Sequence, residues 1–279
     1  MKFVNIIAAF IAFSTVSISA AADFSTEENT FIQNLLDFRL SLRSYKTNDE
    51  ALEKVRAYKD EHLEEILSFG EEASLVCLNM LATSEYNIFY AKDMHAPEME
   101  EILRPQYEKI IEFQEKHPVS EQNPWFTLTS ADIINSMMQF LKQSLAIKLG
   151  LQEKKDYASV VERFPDMSFA LMLSGFWYYY APGIGGGSKS KARDFFEKSL
   201  KYASNDYERF YGNINYSQSL FEYKKKDEAA QYLEEAEKIL PDTNYIAFIR
   251  KINSLGYSLF DYNMNSTREK LDKKLAEFE

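Results

Sequence analysis

Asn213 to Pro241 reads NINYSQSLFEYKKKDEAAQYLEEAEKILP, and its spacing is that of a helical hairpin. Leu220 falls in a first helical run, and Lys224 to Lys226 make the turn. Asp227-Glu228-Ala229 then opens a second helix, in which Leu233, Ala236 and Pro241 follow Ala229 at offsets of 4, 7 and 12. A second copy lies upstream. Leu171, Gly175 and Tyr178 fall 6, 10 and 13 residues after Pro165, and Ala192, Phe196 and Ser199 then match Ala229, Leu233 and Ala236. Between the two helices of this copy lies an expanded loop, Ala181 to Ser188, and the unit ends at Ser204 with no proline.

The two units resemble the tetratricopeptide repeat, in which small residues at two second-helix positions let paired helices approach and a proline ends the unit. Tyr216 and Ser217 stand where that family usually has an apolar residue and a glycine, and Ala192 and Ala229 are 37 residues apart against a family period of about 34. Leu145 to Gly150 and Tyr157 to Pro165 resemble a degenerate further unit, so the likeness covers roughly residues 140 to 241. It implies an all-α fold of stacked antiparallel helical hairpins, a tetratricopeptide-like right-handed solenoid. The exported bacterial type of such proteins binds protein or peptide partners on a concave surface.

Composition agrees. Glycine and proline together make 16 of 279 residues and apolar residues 46%, which excludes disordered and collagen-like chains. Valine is scarce and no period-two alternation is sustained, which argues against a sandwich or barrel. Ser25 with Glu28, Thr47 with Glu50, and Thr129 with Asp132 read as helix starts, a hydroxyl three residues before a carboxylate. Leu52, Val55, Tyr58, Leu63, Ile66 and Leu67 mark one amphipathic face; Ile102, Tyr107, Ile110, Ile111 and Phe113 mark another. The expectation is about ten to twelve helices joined by short loops. Asn123-Pro124, after His117-Pro118, is the expected junction between an N-terminal helical region, 23–122, and the repeat region, 123–279.

Residues 1–22 have the order of a secretory signal: Lys2, an apolar run from Phe3 to Ile18, then Ser19-Ala20-Ala21-Ala22. Cleavage after Ala22 is expected, with an uncleaved membrane anchor as the competing reading. No cysteine follows the run to take a lipid, so a periplasmic or secreted location is expected. Cys77, the single cysteine, lies in the apolar run Leu75 to Leu81 and reads as a buried, inert thiol. The net charge of −11 repels phosphate backbones, so neither DNA nor other nucleic acid is expected as a partner.

Gly183-Ile184-Gly185-Gly186-Gly187-Ser188-Lys189-Ser190 nearly spells a phosphate-binding loop, but Ser188 replaces the second required glycine and the preceding residues, Met172 to Tyr180, are in helical register. The plain reading is a hairpin turn with Ser188 or Ser190 capping the next helix. An intermediate reading is anion capture by the helix-end amides with Lys189 and Lys191. The run from this loop through Phe195-Phe196-Glu197-Lys198-Ser199-Leu200 is similar to a hairpin of the T-component of tripartite ATP-independent periplasmic (TRAP) transporters. That resemblance implies, as an alternative function, an accessory that binds a small apolar ligand and a solute-binding protein.

Phe176-Trp177-Tyr178-Tyr179-Tyr180 places five aromatics in little more than one helical turn, so they cannot share one core. They are either wedged between hairpins or line a groove. Tyr207, Phe210, Tyr211 and Tyr216 are the expected facing partners. The candidate binding residues are therefore Tyr178, Tyr179, Tyr180, Gly183, Gly185, Gly186, Gly187, Lys189, Lys191 and Tyr211, while Gly175, Ala192, Phe196, Ala229, Leu233, Ala236 and Pro241 hold the repeats. His62, His95 and His117 lack metal-ligand spacing, and the paired glutamates read as solvated faces. No nucleophile motif is present; the expectation is a non-enzymatic interaction protein without cofactor or metal, with a hydrolase as the remote alternative.

Overall fold

The structure, a computed structural model, describes residues 23–276; the signal segment expected at 1–22 lies outside the described residues. Thirteen α-helices and no strand are present among them. These are α1 (Thr26–Ser41), α2 (Asn48–Ser68), α3 (Glu71–Lys92), α4 (Glu98–Lys116), α5 (Pro124–Met137), α6 (Gln143–Arg163), α7 (Ser168–Tyr180), α8 (Lys189–Lys201), α9 (Asp206–Glu222), α10 (Lys226–Ile239), α11 (Asn244–Ser254), α12 (Leu259–Tyr262) and α13 (Asn265–Ala276). From α2 to α10 each helix packs against the next. The protein is an all-α stack of tetratricopeptide-like hairpins.

Small residues set the closeness of the repeat hairpins. A Cβ on Gly175 would lie 2.5 Å from the Phe196 ring, so the α7/α8 pair closes only because that atom is absent. Ser168 and Ser199 bond across the same pair, Ser199 Oγ donating to Ser168 O at 2.9 Å. In the next hairpin Ser217 Oγ donates to Ala229 O at 2.7 Å. Ala192, Phe196, Ala229, Leu233 and Ala236 are all buried along this seam, and Pro241 stands exposed just past α10.

The capping boxes at Ser25/Glu28 and Thr47/Glu50 form as the sequence predicts. Thr129 does not start a helix. It is buried inside α5, its hydroxyl donating to Trp125 O at 2.8 Å, and the cap is Asn123, whose Oδ1 accepts from Trp125 N. Pro124 at the first helical position needs no amide partner, which is why the helix begins there. The hairpin expected between Leu145 and Pro165 is a single helix, α6: Gly150 is tolerated in its interior, and no turn chemistry separates it from Tyr157. Leu67, assigned to a buried face, is 60% exposed, one residue from the helix end.

One core joins Ile32, Leu35 and Leu36 of α1 to Val76 and Leu81 of α3, Leu128 of α5, Phe169 of α7, Phe210 and Ile214 of α9 and Ile249 of α11. α3 is buried on every side from Ala73 to Tyr86, Cys77 included. α1 packs against both α3 and α9, and the 3-10 turn after it, Leu42–Ser44, packs against α11. Helices α1, α3, α5, α7 and α9, each in contact with the next and α9 with α1, make a closed inner ring.

Candidate functional site

Two arginines on α1 and its following turn face into that ring. Ile32, Leu35, Leu36, Arg39 and Arg43 continue one helical face, so the arginines occupy positions where the apolar stripe predicts leucine. Arg39 is buried; its Nε donates to Ser84 Oγ of α3 at 3.1 Å, and its guanidinium lies 5.3 Å over the Tyr207 ring of α9. Arg43 Nε donates to the Tyr211 hydroxyl at 2.8 Å, and its guanidinium lies 4.1 Å over Tyr245 of α11. Neither arginine is in any ion pair formed by the described residues. Burial opposes the Arg43 charge, yet the surrounding Tyr211, Tyr245 and Tyr207 hold its proton more firmly than in water. The same desolvation pushes the Tyr245 phenol up to about 12.

Asp132 of α5 faces this set and meets solvent on part of its surface. Protein nonetheless surrounds it closely enough for desolvation to raise its pKa against the pull of Arg39. Glu153 and Tyr157 of α6 lie within its electrostatic reach. Glu153 is 4% exposed, its Oε1 has no hydrogen-bond partner, and desolvation together with Asp132 and Asp156 lifts its carboxyl to about 9. It is a neutral acid at pH 7. Tyr180 combines 40% exposure with a desolvated phenol of strongly raised pKa, and its hydroxyl donates to Phe260 O at 3.4 Å. Asp132 and Tyr180 thus meet solvent on part of their surface while protein surrounds them closely. Tyrosine rings hold the Arg39 and Arg43 guanidiniums at this inner face, and the Asp132 and Glu153 carboxyls lie on its Arg39 side.

The three consecutive tyrosines do not form one surface. Tyr178 stacks on Phe195, ring centroids 5.2 Å apart. Tyr179 is buried against Phe260 of α12 at 4.5 Å, whereas Tyr180 is exposed and lies within electrostatic reach of Tyr245. Of the expected facing partners, Tyr216 packs with this cluster, whereas Tyr207, Phe210 and Tyr211 turn to α1 and α11. A helix of 3.6 residues per turn sends Tyr211 and Tyr216 to different faces, and Phe260, from a four-residue helix with no periodic signal, takes the vacant place. Tyr211 thus joins the site through Arg43 and not through Tyr178 to Tyr180.

The loop after α7 is a compact turn. Gly183–Gly185 form one 3-10 turn, Gly186 has φ +99°, and a Cβ on Gly187 would overlap Ala181 O. Ser188 caps α8 by accepting from Lys191 N at 3.3 Å. Because α7, and not a strand, precedes the loop, the phosphate-loop likeness has no structural counterpart. Lys189 pairs with Glu222 at 2.7 Å and lies over Tyr179, while Lys191 lies over Tyr178. His62 bonds Glu65, His95 lies 3.8 Å from Glu269, and His117 stacks on Phe113. Burial pushes the Cys77 thiol up to about 12.

Arg39, Arg43, Glu153, Tyr245 and Phe260 escaped the sequence reading, and Asp132 entered it only as a helix-start carboxylate. The arginines alone left a signal, as charges at apolar-stripe positions of α1.

No family model matches the chain, and no curated protein matches it. Among solved structures, the chain is similar to a thermophilic TPR protein of Thermus thermophilus, at 13% identity and a TM-score of 0.49 over 81% of this chain and 99% of that one. It is also similar to the MamA RS-1 ArsTM double mutant, at 12% identity and a TM-score of 0.35 over 78% of this chain and 96% of that one.

Proposed function

We propose that the protein is an exported, non-enzymatic binding scaffold that receives an extended segment of a protein partner against the inner face where Arg43, Tyr180, Tyr211 and Tyr245 meet solvent. The observation that carries this reading is Arg43: a desolvated cation held by tyrosine hydroxyl and ring faces, with no carboxylate of its own. Such a group favours a carbonyl or carboxylate acceptor from outside, and tyrosines add large contact area at low conformational cost. The non-enzymatic reading is supported by the lack of a nucleophile motif in the sequence and by burial of the one thiol, Cys77, whose pKa is raised to about 12. Export rests on the order of residues 1–22. A transport accessory for an apolar ligand is the second reading, carried by the likeness of the Gly183 hairpin; the charged lining of the inner face favours a polar segment over it.

A photo-cross-linking residue in place of Tyr245 or Tyr180, in the cell that makes the protein, tests this. A discrete protein adduct at both positions supports the reading. Adducts only at outward positions of α2 or α4 overturn it, and an apolar small molecule recovered by extraction of the purified protein favours the accessory.

A further inference from the structure

The outer face of α6 and the loop after α7 carry a feature that the inner face does not explain. Ile184, at the loop tip, is 102% exposed; Ile147 and Leu151, one turn apart on α6, are 58% and 49% exposed. Lys154, the next turn of that face, joins the two elements. Its Nζ donates to Gly185 O at 3.3 Å and lies 4.8 Å over Trp177, whose Nε1 donates to Gly150 O at 3.0 Å. Lys154 therefore ties the loop that carries Ile184 to the face of α6 that carries Ile147 and Leu151.

The turn that presents Ile184 is built. Gly185 N and Gly187 N both donate to Pro182 O, at 2.8 and 3.1 Å, and Ser188 N donates to Tyr178 O at 2.7 Å. Holding an isoleucine wholly in water adds nothing to the core, so its value lies in what it meets. This region is also basic in a chain of net charge −11: Lys142, just before α6, and Lys148 and Lys155 within it are exposed, and none is in an ion pair formed by the described residues. The single acid between Gln143 and Lys155, Glu153, points inward. Half-buried Trp177 and Tyr178, the latter beneath Lys191 at 5.4 Å, flank the apolar tips.

We propose that this patch docks the protein on an anionic lipid bilayer, with Ile184, Leu151 and Ile147 entering the boundary of the acyl chains and Lys142, Lys148 and Lys155 lying over the headgroups. Charge complementarity chooses the occupant. Projecting apolar tips suit a deformable apolar phase, amphipathic rings suit the headgroup level, and unpaired lysines suit surface phosphates.

The test uses the chain from Asp23 onward, which holds every buried core residue from Phe31 to Leu271 and lacks the apolar leader. Flotation with phosphatidylcholine vesicles, with and without phosphatidylglycerol, is the readout. The chain is expected to bind the mixed vesicles, to bind pure phosphatidylcholine far less, and to weaken with salt. Ile184→Asp should lower partitioning about tenfold at unchanged melting temperature, in line with losing one inserted apolar side chain. Ile147→Asp with Leu151→Asp should do the same, and Lys148→Gln with Lys155→Gln should abolish the phosphatidylglycerol preference. Failure to float with mixed vesicles, or Ile184→Asp floating as well as the parent, overturns the proposal. So does loss of a cross-linked protein partner in Ile184→Asp without any vesicle binding by the parent, which would assign the patch to that protein.

Discussion

The Arg43 guanidinium lies 4.1 Å over the ring of Tyr245, fastening the turn after the first helix to the eleventh. Desolvated cation–π pairs contribute about 2 kcal/mol. Arg43→Met should therefore lower the melting temperature by roughly 4–8 °C, using the response of chains this size. Tyr211→Phe, which removes one hydrogen bond, should cost about 1 kcal/mol. Partner capture should fall in Arg43→Met beyond what the stability loss accounts for. Thermal unfolding and cross-linking yield, read side by side, check this.

Glu153 makes stability depend on pH. Its carboxyl rises from 4.5 unfolded to about 9 folded, so the folded state holds the proton more tightly. Its contribution is complete below pH 4.5 and is lost as pH climbs toward 9, up to about 3 kcal/mol at neutrality. Glu153→Gln should leave stability at pH 4 nearly unchanged, raise it at pH 8, and flatten the profile between. Denaturant midpoints across that range decide it; an unchanged slope would show that Glu153 does not control it.

Gly175→Ala places a methyl 2.5 Å from the Phe196 ring, and overpacking of that kind costs ~1–3 kcal/mol. Phe196→Leu alone should also destabilise the α7/α8 hairpin by opening space. Combined, the two changes should cost less than their sum, because the shortened side chain makes room for the added methyl. A double-mutant cycle by urea unfolding measures the coupling.

Two glycines in one loop should behave differently. A Cβ on Gly185 meets nothing within 4 Å, whereas on Gly187 it overlaps a backbone oxygen. Gly185→Ala is expected to be neutral within about 0.5 kcal/mol. Gly187→Ala should destabilise by more than about 1 kcal/mol and pull apart the hydrogen bond from Ser188 N to Tyr178 O. Amide exchange at Ser188 reports that bond.

The hairpins α7/α8 and α9/α10 were legible because their determinants are local: Ala192, Phe196, Ala229 and Leu233 keep one register over two helices, and Gly175 supplies the close approach. The capping boxes at Ser25 and Thr47 were legible for the same reason. Thr129 misled because a hydroxyl three residues before a carboxylate also occurs inside a helix, where Thr129 bonds back to Trp125 O and Asn123 has already taken the cap. The inner site was hidden because it is long-range. Arg43, Tyr211 and Tyr245 come from three elements, and the ring that assembles them closes only through the contact of α1 with α9. Phe260 sits on a helix of four residues, too short for any period to show.

That closure orders events in time. Ile32, Leu35 and Leu36 emerge early in synthesis, but α9, which packs on α1 and whose cap residue Asn205 donates to Gln33, is made in the last third of the chain. Until then α1 can pack on α3 but its α9 side stays uncovered, and contacts of such long sequence separation form slowly. Closure of the ring around the first helix is thus set by when α9 is made, not by when α1 coils.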